Sequence, residues 1–281
     1  MGKVDLHIHS TASDGKFKPE ELVRKAAEMG LSVIALADHD SIDGIAPALS
    51  AASAYPKLKV IPAVEINTDV PQGEVHILGY FIDYTHPELK ATLEALRRSR
   101  VERAQGMIEK LGTLGIHITW QRVKELAGDG AIGRPHIAQA MLEKGYISSI
   151  KEAFTKYIGR DGPAYVERKK ITPFEATELV IRTSGLPVLA HPLTASEPEG
   201  LIIELKKVGL VGIEVYYDGY GEEERSYLKR LAEKYDLLAT GGSDYHGLDD
   251  ANETMLGEAQ VPLEAAEKLI ALAKERIAKI A

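Results

Sequence analysis

Cysteine is absent from the 281 residues. Disulfides, thiolate nucleophiles and thiolate metal ligands are therefore excluded, and any bound metal must be held by nitrogen and oxygen. Such donors suit manganese, zinc or iron better than copper(I) or an iron–sulfur cluster. Long apolar runs are also missing: no stretch approaches the roughly 20 uninterrupted apolar residues that a membrane-spanning helix needs. Positive charge is in deficit. A net charge of −8 argues against bulk electrostatic binding to nucleic acid, although a local basic surface is compatible with it. The opening Met1-Gly2-Lys3-Val4-Asp5 lacks the apolar core of a secretory signal, so the expected location is cytoplasmic, away from membranes. Met1-Gly2 is only a fragment of a lipidation signal.

Hydrophobic residues make up 44% and charged residues 27% of the chain, which is ordinary for a globular protein with a core. The length allows one large domain or two smaller ones. Strand and helix signals alternate in the first third. Val4–Ile8 reads as a strand. Pro19-Glu20-Glu21 opens a helix with Leu22, Ala26 and Met29 on its apolar face, and Gly30 ends it. Leu31–Ala37 reads as a strand buried on both sides, and Val60–Ile66 and Val75–Ile82 as two more. From Pro87 to Tyr157 helical periods take over. From Thr172 the alternation returns: helices over Pro173–Ser184, Leu201–Val208, Glu222–Tyr235 and Pro262–Ile280, with strands at Leu186–Ala190, Leu210–Tyr216 and Leu237–Thr240. Alternating units of this kind predict an α/β protein with a parallel sheet or barrel. The helical block over residues 99–170 carries 13 Lys and Arg against 8 Asp and Glu, leaving −13 for the rest. It reads either as a basic insertion suited to an anionic substrate or as charge fluctuation in a solvated segment.

Histidines and acids collect where the strands end. His7 and His9 stand two apart at the end of the first strand, so both imidazoles point the same way. Asp38-His39-Asp40 follows the second strand, where parallel α/β folds place their sites; a solvated, capping turn is the other reading. Glu65 sits inside an apolar strand and needs a partner, either a metal or a basic side chain. His76 poses the same question. His191 ends a strand before Pro192, and Asp244 and His246 follow Gly241-Gly242. His86 and His117 fit no such pattern and read as surface or structural residues.

Together these residues resemble the PHP family, the polymerase and histidinol phosphatase superfamily. The resemblance rests on Asp5-Leu6-His7-Ile8-His9-Ser10 with Ser13-Asp14-Gly15, Ala37-Asp38-His39-Asp40, Glu65, His76, Ala190-His191-Pro192 and Gly242-Ser243-Asp244-Tyr245-His246-Gly247, in that order along nearly the whole chain. It implies a distorted (β/α)7 barrel over 1–98 and 171–281, with residues 99–170 as a small helical insertion that caps the substrate. It also implies two or three divalent metal ions, Mn2+ foremost, with Zn2+ or Fe2+ as alternatives. His7, His9, Glu65 and Asp244 would hold the first. Glu65 would bridge to a second held by His76 and His191. Asp14, His39 and His246 would hold a third. Several members have histidine where this chain has Asp14, which bears on the strength of the third site.

A subgroup with a Gly-Arg-Pro-His-Ile-Ala insertion resembles this chain more closely, through Gly133-Arg134-Pro135-His136-Ile137-Ala138. That likeness implies a phosphoesterase in which Arg134 and His136 grip phosphate. Its substrates would be nucleoside 3′,5′-bisphosphates, cleaved at the 3′-phosphate by metal-activated hydroxide, and short 5′-phosphorylated single-stranded RNA. Arginine offers a planar fork matched to phosphate oxygens, and Pro135 reads as the first position of a helix whose N-terminus favours anions. Two other readings stand beside it: a histidinol-phosphate or other small-molecule phosphomonoesterase, and a non-catalytic metal-binding module. No obligate protein partner is indicated.

Overall fold

The computed structural model describes residues 3–70, 73–128, 132–167, 171–217, 219–248 and 254–280. The Met1-Gly2 start and the last three residues of the expected insertion lie outside them. The chain divides into two compact units, Met1–Ala91 with Ile171–Ala281, and Thr92–Lys170.

The first unit is a nearly closed barrel of seven strands in simple sequence order: β1 (Lys3–Ile8), β2 (Leu31–Leu36), β3 (Lys59–Val70), β4 (Gly73–Tyr80), β5 (Leu186–Leu189), β6 (Gly212–Tyr217) and β7 (Leu238–Gly242). Its helices are α1 (Pro19–Glu28), α2 (Ile45–Ala52), the start of α3 (Pro87–Thr113), α7 (Pro173–Arg182), α8 (Pro198–Lys207), α9 (Glu222–Lys234) and α10 (Leu263–Ile280). Several of them form where the sequence carries start signals, proline at the first positions of α1, α7 and α8 and acids in the first turn of α9. The sharpest is at α7, where the Thr172 hydroxyl accepts from Glu175 N at 3.2 Å and Glu175 accepts from Thr172 N at 2.7 Å, a reciprocal cap that satisfies two otherwise orphaned donors. In α1 the buried stripe is Leu22, Val23 and Ala26; Met29, expected on that face, is 39% exposed because it falls past the last turn.

The expectation of a parallel sheet fails at one strand. β4 runs antiparallel to both β3 and β5, with Asn67 opposite His76 and Leu78 opposite both Glu65 and Val188. The reason is length: a parallel crossover takes a dozen or more residues, and only a short segment separates Ile66 from Val75. Reversal has a useful result. The beginning of β4, carrying His76, lies at the same end of the barrel as the carboxyl ends of the parallel strands.

Two apolar clusters hold the barrel. Val4, Leu6, Ala35, Ile61, Leu78, Tyr80 and Val188 pack together with Ala266 and Leu269 of α10. Ile8, Ile34 and Leu36 pack with Leu22, Val23 and Ala26 of α1 and Ala48 of α2. The seam between β1 and β7 is closed by His9 N donating to Tyr245 O at 2.9 Å. There Gly242 is required: a Cβ on it would fall 2.4 Å from His7 N.

The second unit contains the rest of α3, then α4 (Trp120–Ala127), α5 (Arg134–Glu143) and α6 (Ile150–Ala153), which runs on into a π-helical turn at Phe154–Ile158. Met107, Leu111, Val123, Ile137, Met141 and Ile158 form its buried core. Met141→Ala is expected to lower the stability of this unit by about 2–5 kcal/mol, the usual loss for emptying a packed core position, as read by chemical denaturation. Among the described residues no helix is long and apolar enough to cross a membrane.

Candidate metal centre

β1 ends by placing His7 and His9 side by side, their ring centroids 5.1 Å apart. The chain then turns through Ser10–Asp14 around the buried carboxylate of Asp38. That group accepts from Ser10 N at 2.7 Å, Ser10 Oγ at 2.8 Å and Ser13 Oγ at 2.7 Å. Burial pushes the Asp38 carboxyl up, partly countered by these donors. Asp38 is thus the anchor of the loop that carries Asp14. Asp38→Ala is expected to cost about 1–3 kcal/mol, since it leaves buried donors without partners; a thermal melt with and without Mn2+ checks it.

The opposite seam uses Asp5 in the same way. Its buried carboxylate accepts from Ser243 N at 2.9 Å, Ser243 Oγ at 2.6 Å and Gly257 N at 2.8 Å, which fixes the segment bearing Asp244 and His246. Tyr217 OH donates to Asp244 Oδ2 at 3.0 Å, leaving Oδ1 directed at His9 Nε2, 2.9 Å away. Among the residues that adopt the left-handed backbone, Asp40 (φ 49°), His191 (φ 29°) and Asp244 (φ 53°) lie in or beside this cluster. For residues other than glycine this costs about 1–3 kcal/mol each and is characteristic of functional sites.

Glu65 is the hub. One of its oxygens lies 3.3 Å from His7 Nε2, 3.3 Å from His9 Nε2 and 2.7 Å from His39 Nδ1; the other lies 2.7 Å from His76 Nδ1 and 3.1 Å from His191 Nε2. The nitrogen and oxygen atoms gather in three groups, each with its members within 4.8 Å of one another: His7, His9, Glu65 and Asp244; His39, Glu65 and His76; and His9, Asp14, His39 and His246. His39 serves two of them, with Nδ1 toward Glu65 and Asn67 Nδ2 and Nε2 3.9 Å from Asp14. His9 likewise directs Nδ1 toward Asp14 at 3.9 Å.

The charges in this cluster are mutually dependent. Burial would raise the carboxyls of Glu65 and Asp244, yet the surrounding imidazoles hold both well below the ordinary range. His9 is pushed down to about 3 by burial and by the neighbouring His246 and His39. Burial also opposes charge on His246, but Asp14 and Asp244 outweigh it and lift that ring to about 10. Even so, His7 Nε2, both nitrogens of His9, Asp14 Oδ1, Glu65 Oε2, His76 Nε2 and Asp244 Oδ1 are buried without a hydrogen-bond partner. Buried polar atoms without partners are rare and costly. Seven such atoms on residues of one cluster, all nitrogen or carboxylate oxygen, are what divalent cations of the manganese, zinc or iron type satisfy.

All nine residues singled out as ligands lie in the first unit and converge. Arg134 and His136 belong to the second unit. Arg134 opens α5, one position earlier than the expected start at Pro135, with its guanidinium over the Phe154 ring at 5.5 Å. His136 Nδ1 accepts from Gly133 N at 3.0 Å, so a neutral His136 carries its hydrogen on Nε2. His117 is exposed and His86 caps no cluster. The sequence reading missed Glu214, Tyr217 and Asn67. Only Glu214 left a signal, a carboxylate within the apolar strand Ile213-Glu214-Val215 that poses the question asked of Glu65.

Comparison with known proteins identifies the family. The PHP domain profile matches residues 5–160. A 5′-3′ exoribonuclease of Haemophilus influenzae is 37% identical over 87% of this chain and 90% of its own length. A 3′,5′-nucleoside bisphosphate phosphatase of Chromobacterium violaceum is 31% identical over 88% of each. A crystal structure from Bifidobacterium adolescentis, assigned as a metal-dependent phosphoesterase, superposes with a TM-score of 0.85 at 29% identity over 96% of both chains. The chain belongs to the PHP domain family and is a phosphoesterase.

Proposed function

We propose that this phosphoesterase removes the 3′-phosphate of nucleoside 3′,5′-bisphosphates. The observation that carries the reading is the convergence of nine imidazole and carboxylate side chains at one end of the barrel, together with a bisphosphate phosphatase relative matched along most of its length. His7, His9, Glu65 and Asp244 would hold a first cation, Glu65 with His76 and His191 a second, and Asp14, His39 and His246 a third. Mn2+ is the cation proposed first, with Zn2+ and Fe2+ as the alternatives; the three carboxylates suit manganese and the six imidazoles suit zinc and iron. When bound, such ions make water nucleophilic near neutral pH and neutralise charge on the phosphoryl oxygens.

The remaining work falls to the protein. Asp38 and Asp5 fix the two loops that carry Asp14 and Asp244. Tyr217 keeps one oxygen of Asp244 turned to the imidazoles. Residues 99–170 act as the substrate cap. Within it Arg134 presents two parallel N–H donors to phosphate, and the Phe154 ring beneath holds the guanidinium plane. His136, its Nδ1 occupied by the Gly133 amide, offers Nε2–H as a donor to a developing negative oxygen.

The test is phosphate release by Mn2+-loaded protein from adenosine 3′,5′-bisphosphate, histidinol phosphate and a 5′-phosphorylated oligoribonucleotide. Release from the bisphosphate and not from histidinol phosphate is expected; the reverse pattern refutes the reading. The Haemophilus influenzae relative, an exoribonuclease, favours a second substrate for the same site, the terminal nucleotide of short 5′-phosphorylated RNA. Mononucleotide release from the 5′ end of the oligonucleotide is its signature.

Cation removal has a thermodynamic consequence as well. A ligand that binds only the folded state adds about 2.7 kcal/mol when present at 100 times its Kd. Chelator treatment is therefore expected to lower the melting temperature by several degrees, at about 2–4 °C per kcal/mol for a chain of this order of size, and added Mn2+ to restore it. An unchanged melt would argue against cations in this cluster.

A further inference from the structure

Glu214 is wholly buried in β6 and touches two of the nine converging residues through different atoms. Oε1 lies 3.1 Å from His7 Nδ1, and Oε2 accepts from the backbone N–H of His191 at 2.9 Å. A carboxylate has no hydrogen to give. A neutral, cation-ligating His7 must therefore carry its hydrogen on Nδ1 and its lone pair on Nε2, which faces Glu65 and Asp244 at 3.3 and 3.4 Å. The second contact acts on the backbone. His191 stands at φ 29°, a conformation that its own sequence does not favour and that has to be held from outside. The Glu214 oxygen on its amide is such a hold. It leaves the ring stacked 6.2 Å from that of His7, with Nε2 3.1 Å from Glu65.

We infer that Glu214 is a positioning residue that sets the cation affinity of the centre, fixing the tautomer of His7 and the backbone of His191 without itself touching a cation. This rests on the cation-binding reading given above. An imidazole ligand whose other nitrogen donates to a carboxylate is oriented and made more basic by it, and loss of that partner weakens metal binding about 10–100-fold. The effect is also selective. Glu214 reaches His7 and His191 but none of Asp14, His39 and His246, so the third cation should be spared.

The experiment compares the Mn2+-loaded wild type with Glu214→Gln and Glu214→Leu. Each is titrated with a chelator while bound Mn2+ is counted by elemental analysis and folding is followed by near-ultraviolet circular dichroism. Glu214→Leu is expected to release part of its Mn2+ at about 10–100-fold lower free chelator than wild type, while the remainder is released where wild type releases it. Glu214→Gln keeps an oxygen for one donor but loses the charge, and its release should fall between the two. If Glu214→Leu does not fold, the Gln variant decides alone. A release curve of Glu214→Gln that superimposes on wild type overturns the inference, as does equal weakening of every bound ion, which would mark Glu214 as mere packing. Failure of the wild type itself to hold Mn2+ would instead overturn the cation reading, and the two failures are told apart before any variant is made.

Discussion

Glu65→Ala is expected to strip the centre of its cations and to abolish hydrolysis together. Five imidazoles lie within 3.3 Å of this single carboxylate, so no other substitution removes negative charge from as many of them at once. Outer partners of metal ligands cost about 10–100-fold when removed; a carboxylate shared by two of the proposed sites should cost more than that, in both Mn2+ content and kcat/KM. Asp244→Ala and His9→Ala should follow it in kind, since each enters the first group and His9 enters the third as well. The measurement pairs elemental analysis of purified variants with phosphate release from adenosine 3′,5′-bisphosphate. Glu65→Gln separates charge from shape, for it keeps one oxygen in place while lifting the negative charge. Full Mn2+ content and full turnover in Glu65→Ala would contradict the centre as drawn.

Arg134→Ala should do the opposite to the two readouts. The guanidinium stands at the start of α5 in the second unit, outside the nine converging ligands, so Mn2+ content is expected to match wild type. Turnover should not. Removing one preorganised donor from a charge-developing oxygen commonly costs about 100–1,000-fold in kcat, and Arg134→Lys should recover only part of that, since an ammonium cannot make the paired N–H contacts of a planar fork. Steady-state kinetics on the bisphosphate, with metal content measured on the same preparation, provide the check. Unaltered KM and kcat in Arg134→Ala would mean that the insertion has been given the wrong role.

Much of this cluster is legible in the amino-acid sequence. His7 and His9 announce themselves because period-two spacing on a strand leaves no choice of direction. Glu65 does so because a lone carboxylate among Ile61, Val64 and Ile66 demands company. What escaped has a physical reason in each case. The antiparallel course of β4 was hidden because its apolar run looks the same in either direction, and only the shortness of the link after Ile66 betrays it. Asp38 reads as a site residue from its place beside His39, yet its carboxylate is consumed by Ser10 and Ser13, residues some 25 positions away. Tyr217 gives no signal because a tyrosine ending a strand is commonplace. The π-helical turn beneath Arg134 is a local register slip that no residue type encodes.

The seam at Gly242 has a consequence for biogenesis. His7 and His9 are made roughly 235 residues ahead of Asp244, which with His246 follows β7. A growing chain thus exposes a pair of imidazoles long before the acid that completes their cage has been synthesised. Selection among competing ions by the finished geometry is impossible during that interval, when intrinsic affinity rises from manganese toward copper. On the cation reading proposed above, the first group can therefore select its ion by geometry only once β7 has docked against β1.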